Sequence, residues 1–373
     1  MNGPRKGPLP GAEEGIDLKD RFRIDGHKLH FHVDRLAAWQ AGELIAPIYL
    51  EVSPSGGCNH RCRFCAFDYL EYRGRFLDGD VLKERLTEMG RLGVRSIMYA
   101  GEGEPFLHPR IGEIIEHTKA SGIDVGITTN GVLLTPALAD RILGACEWIK
   151  VSINGPTPEL YAAVHRTSAD DYGRVLENLA YAAEERRRRG HRCALGMQML
   201  LLPENAGEVG VLARAARDAG VDYLVIKPYS HNPQSRTQEF RGIQYADYLH
   251  LADELAAYRT ESFQVIFRAH TMKKLEERER GYDRCLALPF WAYLDSAGEL
   301  WGCFSHLGEE RFRYGNVLAG GFEAVWRGPR RVELLSWAER ELDAGSCRRN
   351  CRMDEPNRYL WELRHPPEHV NFI

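Results

Sequence analysis

The chain has 373 residues, of which 44 % are hydrophobic and 27 % charged, a composition that excludes disorder, collagen and coiled coil. Its net charge of −4 excludes a whole-chain basic field for nucleic acid or anionic membranes. The start lacks a secretory signal, and no uncharged apolar run reaches the roughly 18 residues that a bilayer requires. We therefore expect a cytoplasmic protein with reduced thiols, in which nine cysteines indicate a metal or redox role.

Residues 1–45 are interpreted as an N-terminal extension with a short helix at Val33–Ala41. From Ile45 onward, short apolar runs alternate with longer amphipathic ones. The predicted strands are Pro47–Ser53, Ser96–Ala100, Asp124–Thr128, Trp148–Ile153, Ala194–Leu201 and Tyr223–Lys227. The predicted helices are Gly79–Leu92, Pro109–Ala120, Thr135–Ala145, Tyr172–Arg189, Ala206–Ala219 and Tyr245–Arg259. This alternation predicts an α/β fold with parallel strands, either a partial barrel or a doubly wound sheet.

The pattern changes after about Phe263. Phe290–Leu294 and Leu300–Phe304 flank a turn and predict a β-hairpin, and a helical run follows at Phe322–Ala344. We therefore expect a second, small α+β domain. The predicted division is an extension over 1–45, a six-stranded (β/α)6 partial barrel over 46–270 and the second domain over 271–373.

Three cysteines follow the first predicted strand on one short loop. Cys58, Cys62 and Cys65 have the spacing Cys-x3-Cys-x2-Cys. Three thiolates on such a loop can ligate three corners of a cubane iron–sulfur cluster and leave the fourth iron open for chemistry. A zinc loop and buried structural thiols are the alternatives, although His60 lies inside the loop and is poorly placed as a fourth zinc ligand.

This loop resembles the signature of the radical S-adenosylmethionine (SAM) superfamily, which also has an aromatic residue before the last cysteine, here Phe64. Gly101-Glu-Gly-Glu-Pro105 after the second strand is similar to the Gly-Gly-Glu-Pro segment that holds the SAM amino group, with Glu102 in place of glycine. Each motif alone is a common turn, but their order at successive strand ends is what a barrel active site requires. The residues that the resemblance assigns to SAM are Phe64, Gly101, Glu102, Gly103, Glu104, Pro105, Thr128, Asn130, Ser152, Asn154, Glu204, Asn205 and Tyr229.

Four further cysteines lie in the predicted second domain: Cys285, Cys303, Cys347 and Cys351. Four thiolates can ligate every iron of a second cubane cluster, or they can hold a structural zinc. The pattern resembles the twitch form of the SPASM auxiliary-cluster domain, which implies one auxiliary [4Fe–4S] cluster. The remaining Cys146 and Cys193 precede predicted strands and are expected to be buried, away from the chemistry.

The resemblance implies an enzyme that reductively cleaves SAM to a 5′-deoxyadenosyl radical, supplied with electrons by a flavodoxin or ferredoxin-type reductant. The single auxiliary cluster is similar to that of 2-deoxy-scyllo-inosamine dehydrogenase and related enzymes of antibiotic biosynthesis. The favoured expectation is thus oxidation of a sugar or aminocyclitol alcohol to a ketone, with the auxiliary cluster accepting an electron. The candidates for the base, from the loop after the sixth strand, are Lys227, Tyr229, His231 and Arg236.

Three alternatives remain open. The first is a sugar epimerase or lyase, which would require a thiol near the substrate. The second is a ribosomal-peptide maturase, against which the short 1–45 extension argues because many maturases carry a leader-binding domain there. The third is an iron–sulfur or zinc scaffold without enzymatic activity.

Overall fold

The computed structural model describes residues 22–24, 26–277 and 280–372. Residues 1–21 and residue 25 of the predicted N-terminal extension lie outside this range. The short helix expected after it is confirmed as α1, Val33–Gln40. Its buried Leu36 and Trp39 pack with the C-terminal part of the chain.

A sheet of ten strands forms the centre of the protein. Its first seven strands are β1 (Tyr49–Val52), β2 (Ser96–Tyr99), β3 (Asp124–Thr129), β4 (Cys146–Ser152), β5 (Ala194–Leu201), β6 (Tyr223–Pro228) and β7 (Gln264–Phe267). Each is parallel to the next in chain order. An order without reversal is that of barrel winding, not of a doubly wound sheet, so the predicted α/β partial barrel is confirmed.

Helices follow the strands as crossovers. They are α2 (Gly79–Leu92), α3 (Ile111–Ala120), α4 (Pro136–Ile142), α5 (Pro158–His165), α6 (Asp170–Arg189), α7 (Val209–Asp218), α8 (Leu251–Ala256) and α9 (Ala269–Glu276). In α2, the Asp78 carboxylate caps the first turn by accepting from the N–H groups of Asp80 and Val81 at 2.9 and 3.0 Å. Leu82, Leu86 and Met89 are fully buried against the sheet. Capping and an apolar stripe thus explain this helix from its own sequence.

The C-terminal hairpin joins the same sheet. Its first strand, β8 (Trp291–Leu294), is parallel to β1, with Tyr49 opposite Trp291. The strands β9 (Glu299–Trp301) and β10 (Arg313–Asn316) continue the sheet in antiparallel fashion. The predicted hairpin is therefore confirmed, and the sheet runs across the predicted boundary at residue 270. The division into three parts stays a prediction.

Several elements differ from expectation. The structure has seven parallel strands before the hairpin instead of six, because Gln264–Phe267 also pairs in parallel with β6. The expected helix at Phe322–Ala344 is instead α11 (Phe322–Trp326) and α12 (Pro329–Arg340), since Gly328 and Pro329 interrupt it, and a short helix, α10 (Val317–Gly320), precedes them. A last helix, α13 (Asp354–Arg364), follows the final cysteine.

Cys146 and Cys193 are buried, as expected, at 5 % and 1 % exposure. They lie where β4 and β5 begin, whereas the site described below lies at the opposite ends of the strands. Among the described residues, no helix combines the length and the apolarity needed to cross a bilayer.

Candidate functional site

A cavity of about 520 Å³ opens at the carboxyl ends of the parallel strands. It is the position at which barrel enzymes place their active sites. The three loop cysteines line it together with Glu104 and Ser152, which come from the ends of β2 and β4. The structure thus brings together residues that are about a hundred positions apart in the sequence.

The cysteine loop is held by the segment that follows β2. The Glu104 N–H donates to the carbonyl of Gly57 at 2.8 Å. A Cβ atom added at Gly103 would overlap the carbonyl oxygens of Ser55 and Gly57. Gly103 therefore has to be a glycine for the two segments to lie backbone to backbone, which fixes the loop beside the cavity.

Glu104 is buried, and its carboxylate accepts three hydrogen bonds. Oε1 accepts from the Thr129 hydroxyl at 2.6 Å and from the Phe106 N–H at 3.1 Å, and Oε2 accepts from the Asn130 N–H at 2.8 Å. Burial raises the pKa of the Glu104 carboxyl, and these hydrogen bonds oppose the rise. The carboxylate joins the ends of β2 and β3 beside the cysteine loop.

His165, at the end of α5, reaches the middle cysteine of the loop. Its Nδ1 lies 3.2 Å from Cys62 Sγ, and its Nε2 accepts from the Asn154 N–H at 3.1 Å. Burial lowers the pKa of His165 well below its ordinary value, so the ring is neutral. Because Nε2 accepts, the single ring proton is on Nδ1, and His165 donates it toward the Cys62 sulfur.

We expect replacement of His165 to shift the reduction potential of a cluster ligated by Cys62. Hydrogen bonds to ligand sulfur raise such potentials, so His165→Phe should make the midpoint more negative. Electron paramagnetic resonance during a redox titration measures it. The control is Tyr161→Phe: the Tyr161 ring packs 4.3 Å from that of His165, yet its hydroxyl has no hydrogen-bond partner among the described residues. Equal shifts in both variants would contradict the assigned hydrogen bond.

His60 lies next to the middle cysteine of the loop. One nitrogen of its ring lies within 4.8 Å of Cys62 Sγ and of a nitrogen of His165. This group does not include Cys58 or Cys65, so the expectation that His60 is poorly placed as a fourth ligand of the three cysteines stays a prediction. Its Nε2 also lies 3.6 Å from Asp171 Oδ2.

The three loop thiols fit a multi-iron cluster. Burial raises the pKa of Cys62, and the nearby Cys65 and Cys58 raise it further. Three buried thiolates repel one another, and a cationic cluster offsets that repulsion. The His60 group includes only Cys62 of the three, so a zinc ion there would leave Cys58 and Cys65 without a role.

The four C-terminal cysteines line one enclosed pocket, whose other walls are mainly aromatic and aliphatic side chains. Burial raises the pKa of the Cys303 thiol, and Cys285, Cys351 and Cys347 raise it further, in that order. Asn357 Nδ2 donates to Cys285 Sγ at 3.5 Å. Four converging thiols fit a cluster ligated at every iron, and they fit zinc equally well.

We expect Cys303→Ala to show whether the four cysteines hold an iron–sulfur cluster or a zinc ion. With an auxiliary [4Fe–4S] cluster, the iron content of the anaerobically reconstituted protein should fall from roughly eight to roughly four per chain. Iron and zinc are both measured by mass spectrometry. Unchanged iron together with loss of one zinc would contradict the auxiliary cluster.

The structure divides the residues assigned to SAM by sequence. Those that line the cavity are Phe64, Gly101, Gly103, Glu104, Thr128, Asn130, Ser152 and Tyr229. Those whose side chains lie elsewhere are Glu102, Pro105, Asn154, Glu204 and Asn205. In the last group, hydrogen bonding or packing occupies each side chain, and the SAM assignment of both groups stays a prediction.

Glu102 accepts from the Ser296 N–H at 2.9 Å and so faces the β8–β9 turn. The Asn154 side chain accepts from the Leu200 N–H at 2.7 Å. Asn205 Nδ2 donates to the Asn154 and Leu200 carbonyls, each at 2.8 Å. Glu204 pairs with Arg63, and Pro105 is buried at the start of a short 3-10 helix.

Two of the four proposed bases line the cavity. Lys227 and Tyr229 do, whereas His231 and Arg236 do not. His231 Nδ1 lies 3.4 Å from the Tyr229 hydroxyl, and Arg236 pairs with Glu71 on the surface.

Sequence reasoning missed other residues that line the cavity: Lys150, His165, Gln198, Arg268, Arg348 and Arg352. For one of them, the sequence did contain a signal that could have identified it. Lys150 lies two positions before Ser152 in β4, so both face the same side of the strand.

The described cavity and cysteine loop can be compared with known proteins. Residues 52–216 match the family described as the Radical SAM superfamily. This segment, which carries the cysteine loop, is therefore similar to the radical SAM superfamily. Members of this superfamily bind SAM and a [4Fe–4S] cluster, and the chain has the cysteines for that cluster and for an auxiliary one.

Two curated proteins and one solved structure illustrate the similarity. The mycofactocin maturase MftC of Mycobacterium tuberculosis is 25 % identical over 320 residues, covering 82 % of this chain and 76 % of the relative. The GTP 3′,8-cyclase of Chlorobaculum tepidum is 26 % identical over 233 residues, covering 60 % of this chain and 68 % of the relative. Streptococcus suis SuiB bound to precursor peptide SuiA superimposes with a TM-score of 0.62 at 17 % identity. The superposition covers 83 % of this chain and 71 % of the SuiB chain. The last similarity concerns the fold.

Proposed function

We propose that this radical SAM protein modifies a peptide by hydrogen abstraction at an unactivated carbon. The observation that carries the proposal is the extent of the similarity to maturases. The match to MftC covers 82 % of this chain, whereas that to the cyclase covers 60 %. The fold is also similar to that of SuiB, which was solved with a precursor peptide.

When bound, the cluster and SAM supply a primary carbon radical that can abstract hydrogen. The chain's own residues position this chemistry. Cys58, Cys62 and Cys65 are the proposed ligands, Glu104 fixes the segment beside them, and His165 orients Cys62. Ser152 and Asn130 are the proposed polar contacts to SAM at the cavity rim.

The auxiliary site borders the same cavity. Phe304, Arg348 and Cys351 line both the large cavity and the pocket of the four cysteines. A redox group in that pocket would lie beside the cavity in which the substrate is proposed to bind. This arrangement supports an oxidative outcome at the peptide and keeps a role for the auxiliary cluster.

Charge disfavours the aminocyclitol expected from sequence. The inner cavity is lined by Lys150, Lys227 and several arginines. An ammonium-bearing cyclitol would be repelled there, because burial strengthens the interaction between like charges. Oxidation of an uncharged sugar alcohol is the second candidate, supported by the adjacent auxiliary pocket.

The experiment uses the reconstituted, reduced protein with SAM and a short peptide encoded beside its gene. We expect a changed peptide mass and 5′-deoxyadenosine in proportion to it. Turnover in deuterated water with candidate sugars is the parallel arm. Modification of a sugar with no change in the peptide would overturn the proposal.

A further inference from the structure

The wall of the cavity is strongly cationic. Besides Lys274, which pairs with Asp354, five basic side chains line it: Lys150, Lys227, Arg268, Arg348 and Arg352. Of these five, the lysines come from β4 and β6, Arg268 follows β7, and the last two flank Cys351 in the C-terminal segment. Four separate segments of the chain thus direct positive charge into one space.

The arginines are held in place by protein groups. Arg352 Nη2 lies 3.1 Å from Glu51 Oε2, and its Nη1 donates to the Tyr49 hydroxyl at 3.1 Å. Arg348 Nε donates to the Ser230 hydroxyl at 3.0 Å. These contacts fix the two guanidinium groups at the wall of the cavity.

The two lysines are different. Within the part of the chain that the structure describes, neither Lys150 nor Lys227 has a hydrogen-bond or ion-pair partner; Lys150 Nζ lies only over the Trp148 ring, at 5.4 Å. Carboxylates elsewhere in the cavity are engaged, since Asp354 pairs with Lys274 at 2.9 Å. Two half-buried lysines without a counterion are costly to keep charged.

Their titration agrees with this geometry. Burial, with the nearby Arg352 and Arg268, lowers the pKa of Lys150 to about 7, against the raising effect of Glu51. Burial also lowers the pKa of Lys227, with Lys150 as the next cause. An anion between the two amines would offset both effects.

We propose that Lys150 and Lys227 bind a carboxylate of the substrate inside the barrel. The assignment of a carboxylate rests on the proposed peptide function, because the anionic groups of an unmodified peptide are carboxylates. Lys150 and Ser152 face the same side of β4, and Lys150 is two residues nearer the start of the strand. A carboxylate bound at Lys150 therefore lies further inside the barrel than the proposed SAM contact at Ser152. The remainder of the peptide then extends toward the cysteine loop.

The test measures acylation of individual lysines in the anaerobic, cluster-loaded protein. Isotope-coded acetic anhydride is applied near pH 7, and peptide mass spectrometry gives the rate at each lysine. Glutarate is the carboxylate probe, glutaramide its uncharged counterpart, and inorganic phosphate and SAM are separate arms. Lys273, exposed on α9, is the internal control.

We expect glutarate to slow acylation of Lys150 and Lys227 by about tenfold, because a paired anion raises a lysine pKa by about one unit or more. Glutaramide should have no effect, and Lys273 should react equally in all arms. In Lys150→Gln, the glutarate concentration that protects Lys227 should rise.

Four results would overturn the inference: protection by phosphate alone, full protection by SAM alone, equal protection by glutaramide, or no acylation of either lysine in any arm. The labelling is measured without turnover. Its failure is therefore distinguishable from failure of the peptide function, which is measured by product mass.

Discussion

Cys62→Ala should remove roughly four irons per chain and reduce SAM cleavage to background, because the open cluster needs all three loop thiolates. Cys62 is the central ligand of the loop and also accepts the hydrogen bond from His165. Its loss therefore removes a ligand and leaves the ring N–H without an acceptor. Iron content measures the loss of the cluster, and 5′-deoxyadenosine formation by the dithionite-reduced protein measures the loss of SAM cleavage.

The matched control is Cys146→Ala, which also removes one buried thiol, at the opposite end of the barrel. We expect it to retain its iron and its SAM cleavage. An equal loss of iron in both variants would mean that the effect of Cys62→Ala is general destabilisation and would contradict the ligand assignment.

Glu104→Ala should have the second largest effect. Three donors, from Phe106, Thr129 and Asn130, lose their acceptor in a buried site. Each orphaned donor costs about 1–3 kcal/mol, so the total is about 3 kcal/mol or more. The cysteine loop should loosen, because the segment carrying Glu104 holds Gly57. We expect a melting temperature lower by several degrees and incomplete iron loading.

Glu113→Ala is the control for Glu104→Ala. Glu113 is an exposed glutamate on α3 that pairs with Arg110. Exposed ion pairs contribute about 0–1 kcal/mol, so this variant should resemble the unmodified protein. Full iron loading and an unchanged melting temperature in Glu104→Ala would contradict the supporting role of that carboxylate.

Local spacing predicted the parts of the site that are encoded in short segments. The cysteine triad lies on one loop, and the order of strands and motifs follows from alternation along the chain. Burial of Cys146 and Cys193 was also predictable, because each adjoins an apolar strand. These features depend on residues that are close together in the sequence, so the sequence pattern is sufficient to predict them.

Side-chain direction was not predictable in the same way. Asn154 resembles a ribose-binding residue, yet its amide is occupied by Leu200, 46 positions away. His165 reaches Cys62 across 103 positions and has no motif of its own. The parallel pairing of β8 with β1 likewise joins distant segments, so a hairpin that resembles a separate domain proves to extend the barrel sheet.

The positive charge of the cavity could also not be predicted without the fold. Lys150, Lys227 and Arg352 are far apart in sequence, and each alone is an ordinary basic residue. Only their shared cavity gives them a common role. Substrate class was therefore the part of the function that sequence motifs conveyed least.

The central claim is that this chain performs radical SAM chemistry at the Cys58–Cys65 loop. The most direct measurement incubates the anaerobically reconstituted, reduced protein with SAM and quantifies 5′-deoxyadenosine and methionine. We predict that both form in equal amounts and that neither forms with Cys62→Ala. A fully iron-loaded, reduced protein that leaves SAM intact, with and without peptide, would contradict the account.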